Sequence, residues 1–327
     1  MIRIVLVLLA LSLTNAYAVQ SNAPSTANAP APKIRALKVT VLSTMLVGDT
    51  TGIGEWGFSA LVVADGHCVL LDTGGHADTV LENARSLKVD LSEVQDVILT
   101  HNHWDHVSGL ITLRREMMKK NPRALSRVYV ARGIFYSRPS PEGEKNPMIA
   151  LKKEYEATGG HFIELEKASE IFPGAWLTGP VPRKYPEHNW SSTGKVETDR
   201  GLVEDTIPED QSLVLNTSEG LVVVTGCGHA GIVNILTFAS EQFPNESVQA
   251  VVGGLHLFTA TDLQLDWTAD KLKNFRVANL IGAHCTGIEA VYRIREKLVL
   301  PRSAAVVGSV GSSFVLGEGI HPGPLAK

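Results

Sequence analysis

"VILTHNHWDHVSGL", residues 97–110, is the stretch from which the rest of the chain can be read. An apolar run ends at Thr100, and His101, His103, Asp105 and His106 follow at once. The chain has eleven histidines in all, so this crowding calls for an explanation. In an extended segment alternate side chains point the same way. His101 and His103 can therefore grip one metal ion from one side. Asp105 and His106 follow where the chain bends toward a helix, and they turn to a second position. Imidazole with carboxylate suits Zn²⁺, with iron and manganese as alternatives. Asp105 is the candidate catalytic carboxylate, able to hold a nucleophile through the metal. The competing reading is a chance cluster in a polar loop.

Four residues cannot close two metal sites, so further ligands must come from elsewhere. Three histidines stand at the ends of apolar runs: His229 in "TGCGHAG", His256 in "GGLHL" and His284 in "GAHCTG". Each lies beside glycines, where backbone can approach a ligand closely. His229 and His284 are candidate ligands. His256 is a candidate ligand or a substrate-facing group. No Ser–His–Asp grouping or phosphate-cradling glycine loop competes with this arrangement. Arg183, in "GPVPRKYPEHNW", is a candidate substrate-binding residue for an anion, or else a solvated loop charge.

Around these residues the pattern is α/β. β-branched runs at 37–44, 58–65 and 67–75 read as strands, the last two as a hairpin about Gly66. A helix is expected over 76–89, a buried strand over 94–100 and a helix over 109–120. A hairpin over 211–229 opens a second series: helix 232–242, strand 248–257, helix 267–276, strand 277–285, a helix over "GIEAVYRIREKL" and a last strand over "AAVVGSVGSSFVL". Between them, about 121–205 is dense in Pro, Gly and charge and reads as an irregular insert holding a lid or pocket wall. Two similar halves feeding one crevice suggest two sheets between outer helices.

The N-terminus reads as a secretory signal over residues 1–18. Arg3 is followed by an apolar run from Ile4 to Leu13 and an A-x-A site at Ala16–Ala18. Residues 19–36 read as a flexible linker, and 37–327 as the folded domain. The expectation is an exported protein, in a bacterial periplasm, with no stable membrane anchor after cleavage. A formal net charge of −4 without a long basic run argues against nucleic acid as the partner. A small-molecule substrate is expected instead. Three cysteines, Cys68, Cys227 and Cys285, cannot all pair, although one disulfide remains open in an oxidising compartment. Cys227 and Cys285 are expected to lie near each other beside the metals. The oligomeric state is not legible.

At the motif level the chain resembles the metallo-β-lactamase superfamily, through "THNHWDH" with "VLLDTGG" upstream. "TGCGHAGIVN", "GGLHL", "HCTG", "WGFSALV", "TGPVPR" and "EDQSLV" are similar to its branch named for a dihydropterin-ribofuranosylaminobenzene phosphate synthase. The resemblance spans roughly 37–316. It implies a four-layer αββα sandwich, two divalent metal ions between the sheets, and a metal-bridging hydroxide that attacks an ester, lactone, amide or phosphoester. It also implies that His101, His103 and His229 bind one ion, and Asp105, His106 and His284 the other. Asp72 would orient a ligand, its plainer reading being a turn residue beside Gly74 and Gly75. Many members carry a bridging Asp where this chain has Cys227, which reads as a small buried residue beside the ligands or as a soft ligand. The alternatives to an exported hydrolase are the condensing synthase of the branch and a non-catalytic metal-binding or sensing protein.

Overall fold

A computed structural model describes residues 31–48 and 52–326. The expected signal at 1–18 lies outside the described residues, as does the linker up to residue 30. The end of that stretch is already part of the fold. Ile34 is fully buried and bridges Thr217, with its amide donating to the Asn216 carbonyl at 2.8 Å. A single β-branched side chain with a sheet edge beside it is enough to take these residues out of the linker.

The strands explain the layering. In Leu213–Thr217 and Gly220–Thr225 every residue is buried. Period-two alternation sends Leu213, Leu215, Val222 and Val224 into a core between two sheets, and Val214, Leu221 and Val223 into a second core under helices. The first sheet repeats the logic: Val39, Val62, Val69, Leu71 and Ile98 face the inter-sheet core, while Leu42, Leu70 and Val97 face away. A sheet buried on both faces reads as a near-continuous apolar run. Helices Thr79–Ser86, Leu110–Met118 and Pro147–Glu156 cover the first sheet through Val80, Leu110, Leu113, Met148 and Tyr155. Helices Ile232–Gln242, Asp262–Asn274 and Ile288–Leu298 cover the second through Ile235, Leu236, Leu265 and Ile294. The αββα sandwich is therefore present. Among the described residues the sheets hold eight and seven strands, and no helix is long and apolar enough to cross a membrane.

Three expectations change. The stretch 121–205 is not an irregular insert throughout. Arg127–Ala131 and His161–Leu165 continue the first sheet in parallel, Pro147–Glu156 packs on it, and Ser169–Phe172 with Ala175–Leu177 edges the second. Two parts keep a loop character: 132–146, with a minimal hairpin over Pro139–Ser140 and Gly143–Glu144, and 178–212, with a small hairpin over Lys195–Thr198 and Gly201–Glu204. The helix expected over 267–276 starts earlier, at Asp262, because Thr261 and Gln264 form a capping box. Finally, "AAVVGSVGSSFVL" is two strands in different sheets. Ala305–Val307 joins the second, and Ser313–Val315 pairs with Leu37–Ser43 in the first. The crossing is made at Gly308–Ser312, where Gly311 sits at φ 85°.

Candidate metal centre

Parallel pairing lines up strand ends, and every candidate residue stands on one. In the first sheet His67–Leu71 and Asp96–Ile98 run parallel. The first ends in Asp72, and the second in Thr100 and His101. His103 precedes the short helix Trp104–Val107, whose first turn carries Asp105 and His106. In the second sheet Gly220–Thr225, Val248–Gly253 and Asn279–Gly282 run parallel and release Cys227 with His229, then His256, then His284. The crevice beyond the C-terminal ends of parallel strands is the usual ligand position in α/β folds. Three of these residues sit on left-handed backbone, Asp72 at φ 57°, His256 at φ 50° and His284 at φ 47°. Such backbone costs about 1–3 kcal/mol per residue and persists where the surroundings enforce it.

Four donor groups form among the described residues, two of them without sulfur; one of the others joins Cys227 to His101 and His106. His101, His103 and His229 bring their ligand atoms within 4.8 Å of one another, and so do Asp105, His106 and His284. The fold brings together the residues that the resemblance grouped. The Nε2 atoms of His101 and His229 are buried and have no hydrogen-bond partner in the protein, and that of His284 meets only the Asp105 carboxylate. An unmet buried nitrogen is costly, so a shared electrophile fits here. Burial and the neighbouring imidazoles push His101 and His229 well below the ordinary histidine range, and burial takes His103 down to about 4. These rings are neutral at pH 7, with lone pairs to give. Asp105 is pulled below the carboxylate range, against the effect of burial, by His106 and His284. Its Oδ2 lies 3.2 Å from His284 Nε2 and 3.8 Å from His106 Nε2. Burial disfavours charge on His106, yet Asp72 and Asp105 raise it to about 9. The same carboxylates would stabilise a cation in that proton's place.

Asp72 is fully buried and is not spent as a turn residue. Its carboxylate accepts from the Thr100 amide and hydroxyl, both at 2.8 Å, and holds His106 Nδ1 at 2.7 Å. Thr100 Oγ1 also lies 3.0 Å from His101 Nδ1. One carboxylate and one hydroxyl thus fix a histidine of each set, leaving Nε2 to face the centre. His229 Nδ1 contacts the Asn189 carbonyl, which orients the third ring. Thr100 and Asn189 were not singled out from sequence. The first had a signal in its place between strand and motif, whereas a main-chain carbonyl leaves none. Glu55 was also missed. It is buried, and accepts from Ser43 Oγ at 2.6 Å and the Gly75 amide at 2.9 Å, bracing the loop after Asp72.

Arg183 does not face a substrate. Its guanidinium donates to the carbonyls of His229, Thr206 and Ile207 and lies over the Trp190 ring. It is spent on holding the 178–212 loop over His229. A cleft of about 460 Å³ beside His103 is instead lined by Lys145, Lys195, Ser140 and Thr193. Trp56, Trp104 and Phe258 are exposed. Trp56 packs edge-on to His284 at 4.9 Å, and Phe258 to His256 at 5.3 Å. His256 belongs to neither set above. Its ligand atom groups with the sulfurs of Cys227 and Cys285, which lie 3.3 Å apart as free thiols. The expected proximity of those two cysteines is present.

The loop also carries a pH-sensitive contact. Glu187 accepts from the amides of Val233 and Asn234, at 3.1 and 2.9 Å, at the start of helix Ile232–Gln242, and burial raises it to about 7. Because the folded value lies above the unfolded one, its stabilising contribution is full below the ordinary glutamate range. It is lost as pH rises through 7. Glu187→Gln should therefore flatten the fall in Tm between pH 5 and pH 8 in thermal scans. An unchanged fall would assign that pH dependence elsewhere.

The comparisons follow this geometry. A family model described as the metallo-beta-lactamase superfamily matches residues 46–123, the segment holding Asp72 and the His/Asp motif. The chain is 29% identical over 231 residues to the 7,8-dihydropterin-6-methyl-4-(beta-D-ribofuranosyl)-aminobenzene-5'-phosphate synthase of Methanocaldococcus jannaschii, covering 68% of this chain and 76% of that protein. A solved metal-dependent hydrolase of the beta-lactamase superfamily matches with a TM-score of 0.68 at 30% identity, over 85% of this chain and 98% of the other. Zn²⁺-bound PqqB from Methylobacterium extorquens shares the fold, with a TM-score of 0.52 at 15% identity, over 84% and 99% of the two chains.

Proposed function

The chain belongs to the metallo-beta-lactamase superfamily, and from that premise we propose that it is an exported, metal-dependent hydrolase of a small-molecule ester, lactone, amide or phosphoester. The observation that carries this reading is the pair of donor sets, with the buried Nε2 atoms of His101 and His229 unpartnered. His101, His103 and His229 would hold one divalent ion, and Asp105, His106 and His284 a second. Zinc is the first choice for this mixture of imidazole and carboxylate, with iron and manganese as alternatives. Bound ions would bring the pKa of water toward 7 and polarise a carbonyl or phosphoryl oxygen. The chain's own residues supply position. Asp105 stays ionised at neutral pH and balances charge between His106 and His284. Asp72 and Thr100 keep the rings from turning. Trp56 and Phe258 pack against His284 and His256, and Lys145 and Lys195 offer the partners for an anionic substrate end that Arg183 does not. Export rests on the leader sequence, and an N-terminus at Val19 in the mature protein would support it.

The test is elemental analysis of the purified protein, followed by lactone, β-lactam, thioester and phosphodiester substrates with chelator controls. The expected result is at least two metal equivalents and turnover of one class, lost on chelation and restored by Zn²⁺. Sub-stoichiometric zinc, iron and manganese in a folded protein would sink the proposal. A second reading, favoured by the Methanocaldococcus relative, is condensation of a pterin with a ribofuranosyl-aminobenzene phosphate. Formation of that product by the mature protein would replace hydrolysis with synthesis. The leader argues against it, since phosphorylated substrates of this kind belong inside the cell.

A further inference from the structure

We propose a third metal site, formed by Cys227, His256 and Cys285, that takes a borderline-to-soft divalent ion, Zn²⁺ before all others. It shares no residue with the two sets above, although Cys227 touches His106, and it holds whether or not the chain is a hydrolase. Two of the chain's three cysteines meet here, both buried, with sulfurs 3.3 Å apart. All three ligand atoms lie within 4.8 Å of one another. His256 Nδ1 is buried and bonds to nothing in the protein. The Nδ1 atoms of His106, His101 and His229 meet Asp72, Thr100 and Asn189, whereas that of His256, like that of His284, has no anchor of that kind.

The donors are held in place by main chain. The Gly254 amide donates to the Gly226 carbonyl at 3.0 Å, and the Leu257 and Phe258 amides donate to the Cys285 carbonyl at 3.0 and 3.2 Å. The three loops that carry Cys227, His256 and Cys285 are thereby tied together. At Gly254 a Cβ would stand 2.8 Å from Cys285 Sγ and 2.2 Å from the Gly226 carbonyl oxygen, so only glycine lets the loops close this tightly. His256 is kept on left-handed backbone at φ 50°, a strain that buys nothing for packing alone, since the ring is partly exposed.

Two thiolates and one imidazole form a Cys₂His set, which on zinc leaves a fourth position open. Thiolate donors select zinc over magnesium, calcium or manganese. Cys227 Sγ also lies 3.1 Å from His106 Nε2. Its thiolate would stand between this ion and the one held by Asp105, His106 and His284, placing negative charge between two cations. Cys285 has no such second role, which makes it the residue to test.

The experiment is reconstitution of the reduced, full-length mature protein with Co²⁺ and separately with Zn²⁺. Metal content and the near-ultraviolet thiolate-to-cobalt charge-transfer band are read out. Wild type should bind one equivalent beyond the two His/Asp sets and show the band. Cys285→Ala and His256→Ala should each lose one equivalent, and Cys285→Ala should weaken the band, with circular dichroism unchanged. Cys285→Ser, nearly isosteric, guards against a packing defect: it should behave as Cys285→Ala. If Cys285→Ala and Cys285→Ser keep the wild-type metal content and band, Cys227 alone is the thiolate ligand and the third site does not exist. Isolation of an oxidised Cys227–Cys285 disulfide that persists under reductant and excludes the extra ion would overturn the proposal equally. None of these readouts uses turnover, so they stand apart from the hydrolase test.

Discussion

Asp105→Ala is expected to abolish turnover and to lose one metal equivalent while the protein remains folded. The side chain is 5% exposed and faces the Nε2 atoms of His106 and His284, so alanine leaves two buried imidazoles without the carboxylate that balances them. The structural duty of the residue lies in its main chain, whose carbonyl accepts from the Phe58 amide at 3.2 Å, and alanine keeps that bond. Loss of a preorganised charged group at the reacting centre costs on the order of 10²–10³-fold or more in kcat. The measurements are kcat/KM, elemental analysis and a thermal scan. If the wild type has no turnover on any substrate, and the variant loses binding of a protein partner, the sensing reading replaces the enzymatic one. Wild-type turnover that survives the substitution would remove Asp105 from the catalytic role.

Gly226→Ala is expected to damage stability and metal binding together. A Cβ there would lie 2.1 Å from Thr100 Oγ1 and 2.5 Å from Asp72 Oδ2. Neither neighbour can give way. Thr100 is bonded to Asp72 and lies against His101, while Asp72 is locked on left-handed backbone and holds His106. Overpacking a core costs about 1–3 kcal/mol, sometimes more, and displacing the groups that orient metal ligands typically costs 10–100-fold in metal affinity or activity. The variant should therefore show a lower Tm together with weaker zinc binding in a chelator competition. A Tm and a zinc affinity equal to wild type would mean that the Asp72–Thr100 bracket has slack the geometry does not show.

What could be read from the sequence divides along physical lines. His101, His103, Asp105 and His106 are compact enough to be seen without a fold. His229 and His284 are visible because strand ends beside glycine are unusual places for histidine. The helices over the second sheet were legible because their apolar spacing is regular. The strands Arg127–Ala131 and Ser169–Phe172 were not, since they are short and flanked by charge and proline. Their place is decided by neighbours already in the sheet rather than by their own pattern. Arg183 misled for a related reason. A cation in a loop says nothing about whether carbonyls will fold back on it, and here three do. Conversely, a lone carbonyl such as that of Asn189 has no residue type by which to be recognised.

The strand Ser313–Val315 pairs with Leu37–Ser43, and the His284 amide donates to Thr44 Oγ1 across 240 positions of sequence. Each donor set likewise takes members from both sheets. A chain that stops short of His284 cannot complete the second set, whose last ligand arrives late in the polypeptide and is tied back to the end of the first strand. Contacts this distant along the chain fold slowly, and metal affinity appears only with the folded arrangement. Loading with metal is then the closing act of assembly. It takes place in whichever compartment the chain completes its folding, and is limited by the metal available there.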